Sequence, residues 1–113
     1  MASDLHDSHR LFKAFADPTR LRMLHLLGDG ELCVCHLMEV LQLPQSTVSR
    51  HLAYLRRVGL VDAREEGTWN HYQLTKPATK LHRALLHCMA SCLGGIGQLE
   101  HDRKALKRLP ARA

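Results

Sequence analysis

Two cysteines separated by a single residue are the part of this sequence with the clearest chemistry. Cys33 and Cys35 lie in the segment ELCVCHL, at the start of a predicted helix. Thiolates are preferred ligands of soft, thiophilic ions and are also the groups that oxidants attack. A lone cysteine is more often a small buried apolar residue, whereas a pair with this spacing at a helix start favours a ligand or redox site.

The spacing of this pair constrains how both sulfurs can bind one ion. On a regular helix, side chains two residues apart point about 200° away from each other. Both thiolates can therefore share an ion only if the first helical turn unwinds or is already non-helical. Such binding would displace the segment that follows, so we expect the pair to control the neighbouring helix.

A second pair of cysteines lies closer to the end of the chain. Cys88 and Cys92 are four residues apart on a predicted helix, so they share a face with Cβ atoms roughly 5–6 Å apart. They could chelate one ion, complete a three-thiolate site with the first pair, or pack in a dimer interface. A zinc site is another possibility, and it ranks below a thiolate-only site; its candidate ligands are His36, His82, His87 and His101.

Composition limits the class of protein. The chain has 113 residues, enough for one compact domain whose modest core a symmetric partner could enlarge. Sixteen Lys and Arg against eleven Asp and Glu give a net charge of +5, which favours a polyanionic partner. No apolar run approaches the roughly 20 residues of a membrane span, and no signal peptide is evident, so a cytoplasmic protein without a membrane partner is expected. In that reducing compartment the cysteines are expected to be ligands or redox sensors.

Hydrophobic periodicity predicts four helices in the first part of the chain. Asp17-Pro18 gives the second helix an N-cap and a proline at its first position, and Ser46 is the N-cap candidate of the fourth. Glycines at 28, 30 and 59 supply stops. The predicted ranges are 8–16 for the first helix, 18–27 for the second, 34–41 for the third and 46–58 for the fourth.

The period changes after Gly59. Residues 60–64 and 68–74 alternate as strands around Glu65-Glu66-Gly67, which predicts a hairpin. The helical period returns from Pro77 and ends near Gly94-Gly95. We therefore expect one domain over residues 1–100, followed by a basic and flexible tail over residues 101–113.

The order α-α-α-α-β-β-α predicts a mainly α protein with a small β-hairpin, namely a winged helix-turn-helix. In that fold the fourth helix enters the major groove of DNA. A polar, solvent-facing surface would explain any one polar residue there, but it explains less well their coincidence with the turn and the hairpin. The candidate DNA-binding residues are Gln45, Ser46, Thr47, Ser49, Arg50 and His51 on the helix, and Arg64 and His71 on the wing.

Four segments together resemble the ArsR/SmtB family of metal-sensing repressors. They are DPTRL at residues 17–21, ELCVCHL at 31–37, SRHLAYLRRVGLV at 49–61 and GTWNHY at 67–72. The CVC pair ahead of the third segment is similar to the arsenite- and antimonite-responsive members. The resemblance implies a homodimer formed by the first and last helices. It also implies binding to an inverted-repeat operator in double-stranded DNA, and release when As(III), Sb(III) or another thiophilic ion binds the cysteines.

One departure from that family bears on the ligand set. Its arsenic-responsive members commonly carry a third cysteine three residues after the pair, where this chain has Met38. We therefore predict that Cys92 or Cys88 supplies the third sulfur, beside Cys33 and Cys35.

Two alternatives remain open at this stage. The first keeps the fold and makes the protein a redox or persulfide sensor, in which a cysteine of the CVC pair bridges to Cys88 or Cys92. The second, a thiol-disulfide oxidoreductase, is remote because such enzymes favour CxxC near a βαβ unit, and neither is present. No other enzyme and no organic cofactor is expected.

Overall fold

The computed structural model describes residues 5–66 and 69–110, and it contains the expected helices and hairpin together with two additional elements. The order is α1 (Leu5–Phe15), α2 (Pro18–Leu27), β1 (Leu32–Cys33), α3 (Val34–Leu41), α4 (Gln45–Arg57), β2 (Val61–Glu66), β3 (Trp69–Leu74), α5 (Lys80–Cys92) and α6 (Gly97–Arg108). The additions are β1 and α6. Within these ranges no helix is long and apolar enough to cross a membrane.

Residues at the start of α2 connect three helices. The Asp17 carboxylate accepts the backbone N–H of Arg20 at 3.0 Å, which confirms the predicted N-cap. The Arg20 guanidinium donates to the carbonyl oxygens of Ala14 and Lys13, both at 2.9 Å, and so caps the end of α1. It also lies 4.2 Å from the ring centre of Tyr54 on α4. One side chain therefore fixes how α1, α2 and α4 meet.

The turn between α3 and α4 begins with Gln42 in the left-handed region, at φ 57°. The prediction of Ser46 as the next N-cap was wrong, because the cap is Pro44 and α4 begins at Gln45. The extended backbone of Pro44 directs its carbonyl oxygen toward the N–H groups of Thr47 and Val48, at 3.1 Å each. The proline itself therefore starts the helix, and Ser46 becomes an exposed residue of its first turn.

The strands form an antiparallel sheet in the order β1-β3-β2. The hairpin is confirmed, with β2 extending two residues beyond the predicted end at Arg64. Gly67 and Thr68, predicted as part of the turn and the next strand, lie outside the described residues. The short strand β1 pairs Leu32 with Tyr72 and Cys33 with His71. The first cysteine of the CVC pair is thus part of the wing sheet.

Two apolar clusters hold the helices together, and α2 and α4 contribute to both. The first cluster includes Leu26 of α2, Leu37 of α3 and Leu52 of α4, together with the buried Cys33. The second joins α1, α5 and β2 through residues that include Ala14, Leu24, Leu55, Val61 and Met89. α4 therefore rests on two cores, and its orientation depends on both.

The prediction of a flexible tail from residue 101 was wrong up to Arg108, because α6 is a helix that packs against α2 and α3. A narrow stripe of α6 makes these contacts, and abundant charged residues around it obscured the pattern in the sequence. The expected domain boundary at residue 100 would divide this helix. Residues 111–113 lie outside the described part of the chain.

A buried histidine on α5 predicts how stability depends on pH. His82 is 3% exposed, and its Nδ1 accepts the backbone N–H of Ala78 at 3.1 Å. Burial lowers the pKa of His82, and the charge of Arg83 lowers it further. The folded state therefore binds a proton at His82 less readily than the unfolded state does. The contribution of the neutral ring to the free energy of unfolding is complete above about pH 6.5 and is lost as the pH falls.

We expect His82→Gln to reduce the fall in the free energy of unfolding between pH 7 and pH 5, measured by urea titration. Replacement of the exposed His101 by glutamine is the control and should leave the wild-type slope unchanged. His51 contributes to the slope equally in the wild type and in both variants, because burial also lowers its pKa. Equal slopes for His82→Gln and the wild type would contradict this assignment.

Candidate thiol site and nucleic-acid interface

Cys33 lies at the junction between β1 and α3, where it is the N-cap of the helix. Its backbone is extended, at φ −74° and ψ 150°, and its Sγ accepts the backbone N–H of Cys35 at 3.2 Å. The first cysteine is therefore already outside the helix, so the 200° separation of a regular helix does not apply. From the sequence, both sulfurs could bind one ion if the first helical turn unwinds or if it is already non-helical at Cys33. The structure shows the second arrangement.

His36 completes the cap from the other direction. Its Nδ1 accepts the backbone N–H of Cys33 at 3.3 Å, which makes a reciprocal capping box with the sulfur. An accepting Nδ1 requires the neutral ring with its proton on Nε2. From the sequence, His36 was predicted only as a candidate zinc ligand, although its position three residues after an N-cap is the signal of this motif. Movement of Cys33 therefore disturbs two hydrogen bonds at the start of α3.

The two thiols differ in accessibility. Cys33 is 1% exposed and belongs to the first apolar cluster, whereas Cys35 is partly exposed. Cys35 lines a cavity of about 360 Å³ that reaches Gln45 at the start of α4. It also lines a second cavity of about 320 Å³ that is walled by Leu109 and Pro110, just after α6. Cys35 thus lies between the start of α4, the predicted DNA-reading helix, and the end of α6.

The second cysteine pair occupies a different place. Cys88 and Cys92 are exposed on α5, which packs against α2. A hydrogen bond between these two side chains raises the pKa of the Cys88 thiol, and charge repulsion from Cys92 adds to the effect. Throughout residues 5–66 and 69–110, no group of three or more His, Cys, Asp or Glu side chains is arranged to hold a metal ion. In this conformation the third-sulfur assignment therefore stays a prediction.

Six of the eight candidate DNA-binding residues lie on α4, outside its fully buried stripe. Val48, Leu52 and Leu55 of α4 are buried, and the polar candidates occupy positions of the helix between and beyond them. Exposed side chains are those of Gln45, Ser46 and Arg50, and partly buried ones are those of Thr47, Ser49 and His51. The arrangement suits a helix that presents hydrogen-bonding groups to a groove.

Arg64 of the wing has a protein partner. Its guanidinium donates to the carboxylate of Glu31, at 2.6 Å from Nη2 and 3.1 Å from Nε, which lowers the pKa of Glu31. His71 lies opposite Arg64 in β2 and opposite Cys33 in β1. The two wing residues predicted to contact DNA are thus positioned beside the strand that holds the thiol.

Comparison with known proteins assigns the fold and these segments to one family. The family model described as the bacterial regulatory protein, arsR family, matches residues 17–63, from the α2 cap into β2. The HTH-type transcriptional regulator MJ1325 of Methanocaldococcus jannaschii is 49% identical over 71 residues, which cover 62% of this chain and 80% of that protein. The chain belongs to the ArsR family. It is therefore a DNA-binding transcriptional regulator of winged helix-turn-helix fold, and not an enzyme.

Two relatives within the ArsR family show different modes of regulation. The arsenical resistance operon repressor of Escherichia coli is 51% identical over 67 residues, covering 58% of this chain and only 57% of the repressor's own length. The structure of HlyU from Vibrio cholerae has a TM-score of 0.67 and 36% identity, covering 81% of this chain and 99% of HlyU. HlyU is named a transcriptional activator. Membership in the ArsR family thus establishes that the chain regulates transcription. Whether a member represses or activates transcription, and which inducer it binds, differs within the family and depends on the thiol site.

Proposed function

We propose that this protein is a repressor that leaves its operator when arsenite or antimonite binds Cys33 and Cys35. The observation that carries the proposal is the position of Cys33, a buried thiol at the N-cap of α3, with Cys35 in the first turn of that helix. Trivalent arsenic supplies a soft centre that binds thiolates. The likeness to the E. coli repressor supports this inducer class.

The coupling to DNA runs through the packing of α3 on α4. For Cys33 to bind an ion together with Cys35, its buried sulfur must turn out of the apolar cluster, which alters the hydrogen bond that it now accepts from the Cys35 N–H. The start of α3 then moves, and Leu37 of α3 shares a buried cluster with Val48 and Leu52 of α4. Because packed cores change between discrete arrangements rather than deform continuously, this movement re-orients the DNA-reading helix.

The proposed assembly is a homodimer through α1 and α5, bound to an inverted repeat. Leu5 and Phe12 are seven residues apart on α1 and are 86% and 53% exposed, as expected for an apolar face that a second copy covers. Cys92 or Cys88 is the proposed source of a third sulfur. Met38 does not replace it, because a thioether carries no charge and is a weak ligand for a trivalent centre.

A redox or persulfide sensor is the second candidate. The four cysteines are free thiols, and one structure of HlyU, with 38% identity and a TM-score of 0.65, is described as the reduced protein. In this mechanism a cysteine of the CVC pair and Cys88 or Cys92 would lose two electrons and two protons to a polysulfide, forming a bridge. The observation that favours it is the exposure of both α5 thiols.

One titration separates these candidates. Protein bound to a labelled duplex selected for tight binding is titrated separately with arsenite, antimonite, zinc, cadmium and a polysulfide, and release is followed by fluorescence anisotropy. We expect arsenite and antimonite to release it, with recovery on addition of a competing dithiol. Release by polysulfide alone, reversed by any reductant, would instead establish the redox sensor.

Arg50→Ala is expected to weaken binding to the same duplex by about tenfold or more, since a base or phosphate contact from arginine contributes roughly 1–3 kcal/mol. If Arg50 contacts phosphate, the salt dependence of binding also becomes shallower by about one counterion. The control is Arg103→Ala, which removes an exposed arginine from α6. Equal affinities of the two variants for the duplex would show that Arg50 does not contact DNA.

A further inference from the structure

Helix α6 packs on α2 and α3, against the apolar cluster that contains Cys33. We propose that α6 is a cover over Cys33, held closed by Asp102, and that a thiophilic inducer reaches Cys33 only after α6 leaves α2 and α3. This inference rests on the proposed function for its biological meaning, because it describes access to the same thiols. Its structural basis is independent of DNA and of any inducer.

The contact surface of α6 is a single stripe. Leu99 and Asp102 are buried, and Ala105, Leu106 and Leu109 pack against the apolar cluster that contains Cys33. These positions recur at three- and four-residue intervals, so they follow one side of the helix. Most other side chains of α6 are exposed, so its apolar contacts with the domain are confined to this stripe.

Asp102 makes the attachment sensitive to one residue. Its carboxylate is 1% exposed and accepts two hydrogen bonds from Arg22 of α2, at 2.8 Å from Nε and 2.9 Å from Nη2. Gln98 donates a third, at 2.9 Å. A buried charge is tolerated only while it is paired in this way, whereas an undocked α6 would expose Asp102 to water. The Asp102 carboxylate is therefore stabilised in two arrangements. It pairs with Arg22 when α6 is docked, and it is hydrated when α6 has left the domain.

The covered thiol cannot react in the docked arrangement. Cys33 is almost completely excluded from solvent, and an inducer must contact its sulfur directly. The stripe of α6 packs against the cluster that buries Cys33, and just beyond α6 Leu109 and Pro110 wall the cavity next to the neighbouring Cys35. Departure of α6 removes this wall together with the apolar side chains of the stripe. Cys35, already partly exposed, does not need this step.

The chain offers a matched control on the same helix. Arg103 of α6 pairs with Asp29, which follows α2, at 3.1 Å between Nε and Oδ2. Both side chains of that pair are close to half exposed, so their contribution to docking is small. Asp29→Asn and Asp102→Asn therefore each remove the carboxylate of one ion pair between α6 and the rest of the domain, and the two carboxylates differ in burial.

The experiment measures how fast N-ethylmaleimide modifies each cysteine, read by peptide mass spectrometry. Cys88→Ser/Cys92→Ser is the background, because these exposed thiols would dominate the reaction. We expect Asp102→Asn to accelerate modification of Cys33 by about tenfold or more, as loss of a buried partner is strongly destabilising, and Asp29→Asn to change it by less than about twofold. Modification of Cys35 should change much less than that of Cys33.

Hydrogen exchange in the same samples separates opening of α6 from unfolding of the whole domain. Faster exchange confined to α6, with α4 still protected, supports the cover. Equal acceleration in α6 and α4 would overturn it, and so would an unchanged Cys33 rate once α6 exchanges freely. An Arg22→Met/Asp102→Leu variant should restore slow modification of Cys33, because well-packed apolar residues often replace a buried ion pair. Failure of the arsenite-release function would appear only in the DNA titration and would leave these rates unaffected.

Discussion

Replacement of Cys33 by serine is expected to raise the arsenite concentration that releases the protein from DNA by about 100-fold or more. Loss of an outer-shell partner of a metal site alone costs 10–100-fold in affinity, and this variant removes a ligand. Serine keeps the size of the side chain, and its hydroxyl can still accept the Cys35 N–H, so the cap of α3 is preserved. DNA binding without inducer should therefore equal that of the wild type in the anisotropy titration.

Cys35→Ser should behave in the same way, and the Cys88→Ser/Cys92→Ser variant is the comparison for both. If the two CVC variants still dissociate at the wild-type inducer concentration, the pair is not the sensor. X-ray absorption of the arsenite complex then addresses the third ligand. Three sulfurs in the wild type and two in the α5 variant would support a ligand from Cys88 or Cys92, whereas three in both would exclude it.

Leu52→Ala is expected to lower the free energy of unfolding by about 2–5 kcal/mol, measured by urea titration. Leu52 is fully buried on α4, in the cluster that also contains Cys33. Since small domains are stable by roughly 5–15 kcal/mol, this single change removes a large share of the total. A loss below about 1 kcal/mol would show that the cluster is not a tightly packed core.

Arg56→Ala, which replaces an exposed side chain on the same helix, is the control for Leu52→Ala. It should change the free energy of unfolding by no more than about 0.5 kcal/mol. The contrast between the two substitutions distinguishes loss of core packing from a general weakening of α4.

Local signals in the sequence predicted the elements around the DNA-reading unit. The Asp17-Pro18 pair located the start of α2, and the apolar spacing from Val34 to Leu41 gave the observed bounds of α3. The polar side of α4 was also evident, because its buried residues recur at helical intervals. These features depend on neighbouring residues, so they can be inferred without knowledge of the tertiary structure.

The missed features depend on contacts between distant residues. The strand β1 has only two residues, too few to show an alternating pattern, and its partner is β3. The docking of α6 depends on Arg22 and Asp102, which are 80 residues apart in the chain. Arg64 likewise finds Glu31, 33 residues away. Charged residues with such remote partners resemble solvated surface when only the sequence is considered.

The pairing of β1 with β3 connects a single residue to both the wing and the helix that supports the predicted DNA-reading helix. Cys33 is the last residue of β1, within the wing sheet, and it is also the cap of α3, which packs on the predicted recognition helix α4. A displacement of this residue therefore strains the wing and the recognition helix at the same time. We expect the two contacts with DNA to be lost cooperatively, so a complex that keeps one contact without the other would be short-lived during release.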